Sequence, residues 1–161
     1  MANEAAGLNQ IGFLLGRAYY SYIGLLERWL DEEGLSEHLK PGMGSLLFAL
    51  FREDNRSFSE IADELQLAKS TMTGMVSRMR KAGLVTVETD ATDSRVLRLR
   101  LTPLASSLKS RSRQFARKVE RFLCRELSQS AQQNLRDSLS NITKTIANEL
   151  KTTDKKKKST P

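Results

Sequence analysis

Lys69, Ser70, Thr71, Thr73, Gly74, Ser77 and Arg78 share one side of a helical repeat, because Met72, Met75, Val76 and Met79 fall at i, i+3, i+4 and i+7 and claim the other. Short hydroxyls, a gap at Gly74 and cations are groups that reach phosphate oxygens and base edges, so the chemistry on offer is recognition of a polyanion. Further on, Leu97, Leu99 and Leu101 alternate with Val96, Arg98 and Arg100, a period of two with one apolar and one mostly cationic face. Arg95 heads this run, two residues after Asp93. Its guanidinium suits a polyanion; the competing reading pairs it with Asp93 to fix a turn. Bond-making chemistry is poorly provided for. No nucleophile and base pair, phosphate-cradling loop or metal cluster is present, and His38, the single histidine, reads as an exposed loop residue. The expectation is therefore a protein that is not an enzyme and needs neither metal nor cofactor.

These groups need a rigid frame. Ser57-Phe58-Ser59-Glu60 is a capping box and predicts a helix start, with Ile61, Ala62 and Leu65 as its apolar face. Gln66-Leu67-Ala68 breaks that helix, Lys69-Ser70-Thr71 opens the next, and Gly83 stands where a left-handed C-terminal residue ends it. A strand is expected over Leu84–Glu88, a polar loop over Thr89–Ser94 and a partner strand over Arg95–Leu101. The sum is a winged helix-turn-helix with a two-stranded wing.

The ordered set Glu60-Ile61-Ala62, Lys69-Ser70-Thr71-Met72-Thr73, Lys81-Ala82-Gly83-Leu84-Val85, Asp93-Ser94-Arg95 and Leu101-Thr102 resembles the MarR family of bacterial transcription regulators. The spacings fit without an insertion, and the flanking helices fit the family's layout. The resemblance implies a mainly α fold in which residues 41–102 form a DNA-binding lobe and residues 8–33 and 103–150 supply dimerisation helices. It also implies a homodimer on double-stranded DNA, reading a pseudo-palindromic operator through Lys69, Ser70, Thr71, Thr73, Gly74, Ser77, Arg78 and Arg95. Relatives respond to a small molecule or an oxidant, which points to a repressor relieved by such a signal. Tyr19 and Tyr22, with Tyr20, then become candidates for a pocket taking a phenolic effector, although aromatics at helical spacing also suit a core.

The remaining chain is consistent with one domain over residues 1–161. The formal net charge is +7. Lys109, Arg111, Arg113, Arg117, Lys118, Arg121 and Arg125 crowd one helix, which favours a polyanionic partner. Met1–Gly7 reads as loose, and Leu8–Glu32 as a long amphipathic helix ended by Gly34 and too polar to span a bilayer. Pro41 is expected at the first position of a helix running to about Glu53, with Arg52–Arg56 as a polar turn. After the wing, Thr102-Pro103 opens a helix to about Leu127 whose apolar stripe Arg111 and Ser112 interrupt. Ser128 opens another, in which Leu135, Leu139, Ile142, Ile146 and Leu150 form a stripe that wants a partner helix. Residues 151–161, with the Lys155–Lys158 run, are expected to be a basic disordered tail. Cys124 excludes a disulfide framework within the chain and reads as an inert core thiol; with no signal peptide visible, the cytoplasm is the expected compartment. The competing function is a winged-helix protein-interaction module that does not read DNA.

Overall fold

The computed structural model describes residues 10–158 and contains, among them, six α-helices and a three-stranded antiparallel sheet. The described residues fall into two compact units that divide after Gly44. In the first, α1 (Ile11–Glu32) closes in a Schellman motif. Gly34, at φ 60°, donates to the Asp31 carbonyl at 2.9 Å and Leu35 to the Leu30 carbonyl at 2.8 Å. The expected helix start at Pro41 is corrected. Gly42 has φ 84°, outside the helical region, and Met43 donates to the Lys40 carbonyl at 3.3 Å, so Pro41 sits in a turn. The next helix, α2, is Gly44–Arg52.

In the second unit the order is α2, β1 (Arg56–Ser57), α3 (Phe58–Glu64), α4 (Lys69–Lys81), β2 (Val85–Thr89), β3 (Leu97–Leu101), α5 (Pro103–Cys124) and α6 (Gln129–Lys158). The capping box is complete: Ser57 Oγ accepts from the Glu60 amide at 3.2 Å, and Glu60 Oε2 accepts from the Ser57 amide at 2.8 Å. The α3 helix ends as α1 does, with Gln66 donating to Asp63 and Leu67 to Ala62, but here a glutamine occupies the left-handed position at φ 54°. The same motif closes α4 through Gly83 at φ 69°. Leu46, Leu47 and Leu50 of α2, Ile61 of α3, Met72 and Met79 of α4, Leu84, and Leu99 of β3 are fully buried and make the core under the helix-turn-helix.

The expected two-stranded wing is corrected to three strands in the order β1-β3-β2. Arg56 and Ser57 pair with Leu99 and Arg98, while β2 and β3 run in register from Val85↔Leu101 to Thr89↔Leu97. Two residues are too few to show a period in the sequence, which is why β1 reads as a turn. Leu99 is fully buried, but Leu97 near the loop is 46% exposed, so the apolar face of β3 does not reach the wing tip. Thr102 caps α5 by accepting from the Ala105 amide at 3.1 Å, with Pro103 in the first turn. Ser112 lies on the buried face of α5 instead of interrupting it. Ser128 Oγ accepts from the Ala131 amide at 3.3 Å, and α6 then runs to Lys158, so the expected tail from residue 151 is helical for eight further residues. Nothing between Lys151 and Lys158 breaks a helix, and cationic residues favour a helix C-terminus. Met1–Gly7 lies outside the described residues.

Candidate nucleic-acid interface

The outward face of α4 is set by what its inward face buries. Met72, Met75, Val76 and Met79 are all buried, which leaves Lys69, Ser70, Thr71, Thr73, Ser77 and Arg78 exposed along the helix. Ser45 Oγ on α2 donates to Met75 Sδ at 3.9 Å, so α2 helps hold α4 in place. Thr73 Oγ1 donates to the Lys69 carbonyl at 2.8 Å, and its hydroxyl can therefore only accept from a ligand. A Cβ at Gly74 would lie 3.7 Å from a terminal guanidinium nitrogen of Arg78, an ordinary contact, so the space around it does not itself demand glycine. Among the described residues no carboxylate pairs with Lys69, Arg78 or Arg95.

The rest of the wing is differently arranged. Arg98 Nε pairs with Asp90, and Arg100 Nε lies 3.5 Å from Glu88 Oε2, so the cationic face of β3 is tied to carboxylates. Asp93 Oδ1 accepts the backbone N–H of Arg95 at 2.9 Å; it takes the amide and leaves the guanidinium. Asp90, missed in the sequence, organises the loop. Its Oδ1 accepts from Thr92 Oγ1 at 2.6 Å, the Thr92 amide at 2.8 Å and the Asp93 amide at 3.2 Å. These hydrogen bonds, Thr92's hydroxyl first and Arg98 next, hold its carboxyl far below the usual carboxylate range. Asp90-Ala91-Thr92 is a legible turn pattern, whereas Arg98 gave no signal of its partners.

A second charged cluster stiffens the base of the helix-turn-helix. Glu64 accepts from Arg52 and Arg56, joining the ends of α2 and α3 to β1, and Arg56 lies 3.7 Å from Glu53. The Arg56 hydrogen bond is the main reason that the Glu64 carboxyl is lowered. Tyr19 and Tyr22 on α1 are 58% and 39% exposed, with the Tyr19 and Tyr20 rings edge to face at 5.6 Å. Cys124 Sγ donates to Glu120 Oε1 at 3.5 Å, and partial burial with that carboxylate raises its pKa, which disfavours the reactive thiolate. His38 is only 3.8 Å from Glu37, and no metal-binding cluster exists among the described residues.

Residues 39–97, which contain the whole helix-turn-helix and the wing loop, match the model of the MarR family. The likeness to that family rests on this stretch. The MarR-like winged fold recurs in solved structures. A probable transcriptional regulator from Pseudomonas aeruginosa is 26% identical over 83% of this chain and 97% of its own, with a TM-score of 0.69. PcaV, a transcriptional regulator from Streptomyces coelicolor held with its natural ligand, is 22% identical over 83% and 92%, with a TM-score of 0.71. MepR from S. aureus, in complex with DNA, is 16% identical over 85% and 96%, with a TM-score of 0.66. No protein of curated function matches. No described helix is long and apolar enough to cross a membrane. The MarR family is one of transcription regulators, and the matched stretch runs through α4, β2 and the wing loop to the start of β3.

Proposed function

We propose that this protein regulates transcription as a homodimer, seating α4 of each protomer in successive major grooves of a pseudo-palindromic operator and Arg95 in the flanking minor groove. The observation that carries the reading is the contrast in pairing. Lys69, Arg78 and Arg95 stand exposed without carboxylate partners among the described residues, whereas Arg52, Arg56, Arg98 and Arg100 are each held by one. Free cations on the reading helix and at the wing suit phosphate contact, and the Ser70, Thr71 and Ser77 hydroxyls beside them suit base edges. The DNA complex of MepR supports this use of the fold.

Dimerisation is assigned to the apolar stripes that each protomer leaves in water. Leu135, Leu139, Ile146 and Leu150 on α6 are 43–48% exposed, Leu14 on α1 is similar, and Ile11 and Phe13 are more widely so. Repression relieved by a small molecule or an oxidant is the regulatory reading, with Tyr19 and Tyr22 contributing to a phenolic site and the cytoplasm as compartment; the ligand held by PcaV supports an effector. The test is affinity for a duplex selected from a random-sequence pool, measured against salt. A DNA reader making several phosphate contacts should lose about a thousandfold or more between about 50 and about 200 mM salt. Failure to select any duplex, or affinity that ignores salt, would instead favour a protein-interaction module.

A further inference from the structure

The hairpin that carries Arg95 is anchored at its base, where Val85 and Leu99 are buried and the Leu101 amide donates to Asp54 Oδ1 at 2.9 Å. β1 pairs with β3 only at Leu99 and Arg98, while the β2–β3 ladder continues to Thr89↔Leu97 and then gives way to the loop. Beyond Arg98 the wing is a two-stranded ribbon, a structure of marginal stability that twists readily. Val96 and Leu97 separate Arg98 from Arg95, which lies in the turn that ends the wing loop, where the Val96 amide donates to the Asp93 carbonyl at 3.0 Å. A change in angle at Arg98 therefore carries the turn that holds Arg95 with it.

Arg98 occupies that pivot and reaches two ways. Its Nε donates to Asp90 Oδ2, and a terminal nitrogen donates to the Asn55 carbonyl at 2.9 Å. Asp90 begins the wing loop: its amide donates to the Val96 carbonyl at 2.9 Å, and its other oxygen gathers the Thr92 and Asp93 amides. Asn55 lies outside the hairpin, in the turn before β1, at φ 58°. The Asp90 side chain is 10% exposed and that of Arg98 35%, so this contact is better shielded than the Arg100–Glu88 pair, whose side chains are each about half exposed. The planar fork of a guanidinium can hold two acceptors in fixed directions, which a single ammonium cannot.

The geometry points to Arg98 as the positioning residue of the wing, a clasp that fixes the wing loop through Asp90 to the Asn55 turn and so aims Arg95 at DNA without itself touching it. This rests on the DNA-binding reading for its consequence, but the clasp itself can be observed without DNA. In the free full-length protein, Arg98→Met should speed amide hydrogen exchange at Thr92 and Asp93 about tenfold, while the amides of Met75, Val76 and Met79 keep their protection. Unchanged exchange at Thr92 and Asp93 would overturn the clasp, whatever DNA does.

On the selected duplex, Arg98→Met and Arg95→Ala should each weaken binding about tenfold, and the double variant only slightly more than either, since an unaimed Arg95 has little left to lose. Strictly additive losses would mean that Arg98 acts on its own. Asp90→Asn is the sharper variant. It removes a negative charge from the wing, which by bulk electrostatics should strengthen binding to a polyanion, yet the clasp predicts weaker binding and a lost preference for A·T flanks. Tighter binding by Asp90→Asn would show an Arg98 that contacts phosphate once freed, and would overturn the proposal. A parent protein that binds no duplex would refute the DNA-binding reading and leave the exchange result to judge the clasp.

Discussion

Asp93 takes the backbone N–H of Arg95 and leaves its guanidinium free, so Arg95→Ala should not disturb the loop. The expected outcome is an unchanged melting temperature, weaker binding to the selected duplex and equal affinity for A·T- and G·C-flanked sites; a fall in melting temperature with flank preference intact would assign Arg95 to the turn instead. Carboxylates elsewhere in the unit give a second prediction at this scale. Glu60 is lowered from 4.5, first by the Ser57 amide and then by the Ser57 hydroxyl, and Glu64 and Asp90 are lowered by their own partners. A carboxyl lowered on folding contributes stability that is present above its unfolded pKa and disappears as pH falls through the folded one. Urea stability should therefore decline as pH drops below about 4.5, and Glu60→Gln should make that decline shallower. An identical slope in parent and variant would remove Glu60 from the account. The exposed side of α4 was legible because four buried residues fix a helical face. The pairing of Arg98 was not, because Asn55 lies 43 residues away and only the folded sheet brings the two together.

Helix ends were legible where a side chain or a glycine marks them, and obscure where the backbone alone does the work. Ser57-Glu60, Thr102-Pro103 and Gly83 stand where the sequence put them, but Pro41 misled because Gly42 after it adopts a left-handed turn. β1 was hidden by its length, and α6 outran its expected end because charged residues without glycine do not stop a helix. The most telling element is the turn between α3 and α4. Gln66 closes α3 in the left-handed region, where a side chain costs about 1 to 2 kcal/mol and glycine does not. Gln66→Gly should therefore raise stability by about 0.5 to 1 kcal/mol after its greater freedom in the unfolded chain is counted. Chemical denaturation measures this directly. A destabilised variant would mean that the Gln66 side chain makes contacts worth more than the strain.

Taken as a whole chain, the molecule exposes apolar side chains along α1 and α6. Leu139 and Ile146 on α6 are 43% and 48% exposed, so aspartate at both should be tolerated within a protomer. If they meet a second copy, the double substitution buries charge at the interface at several kcal/mol, and sedimentation should show folded monomer. A persistent dimer would place the interface elsewhere. Splitting the binding unit should also weaken DNA binding, since two half-sites are then read separately. The central claim is that α4 enters the major groove twice and the wing flanks it, and footprinting the selected duplex at base resolution tests it most directly. Two patches of major-groove protection are expected with centres about 10 base pairs apart, each flanked by minor-groove protection that Arg95→Ala abolishes. Protection of the phosphate backbone alone, or a single unflanked patch that Arg95→Ala and Lys69→Ala leave intact, would contradict it.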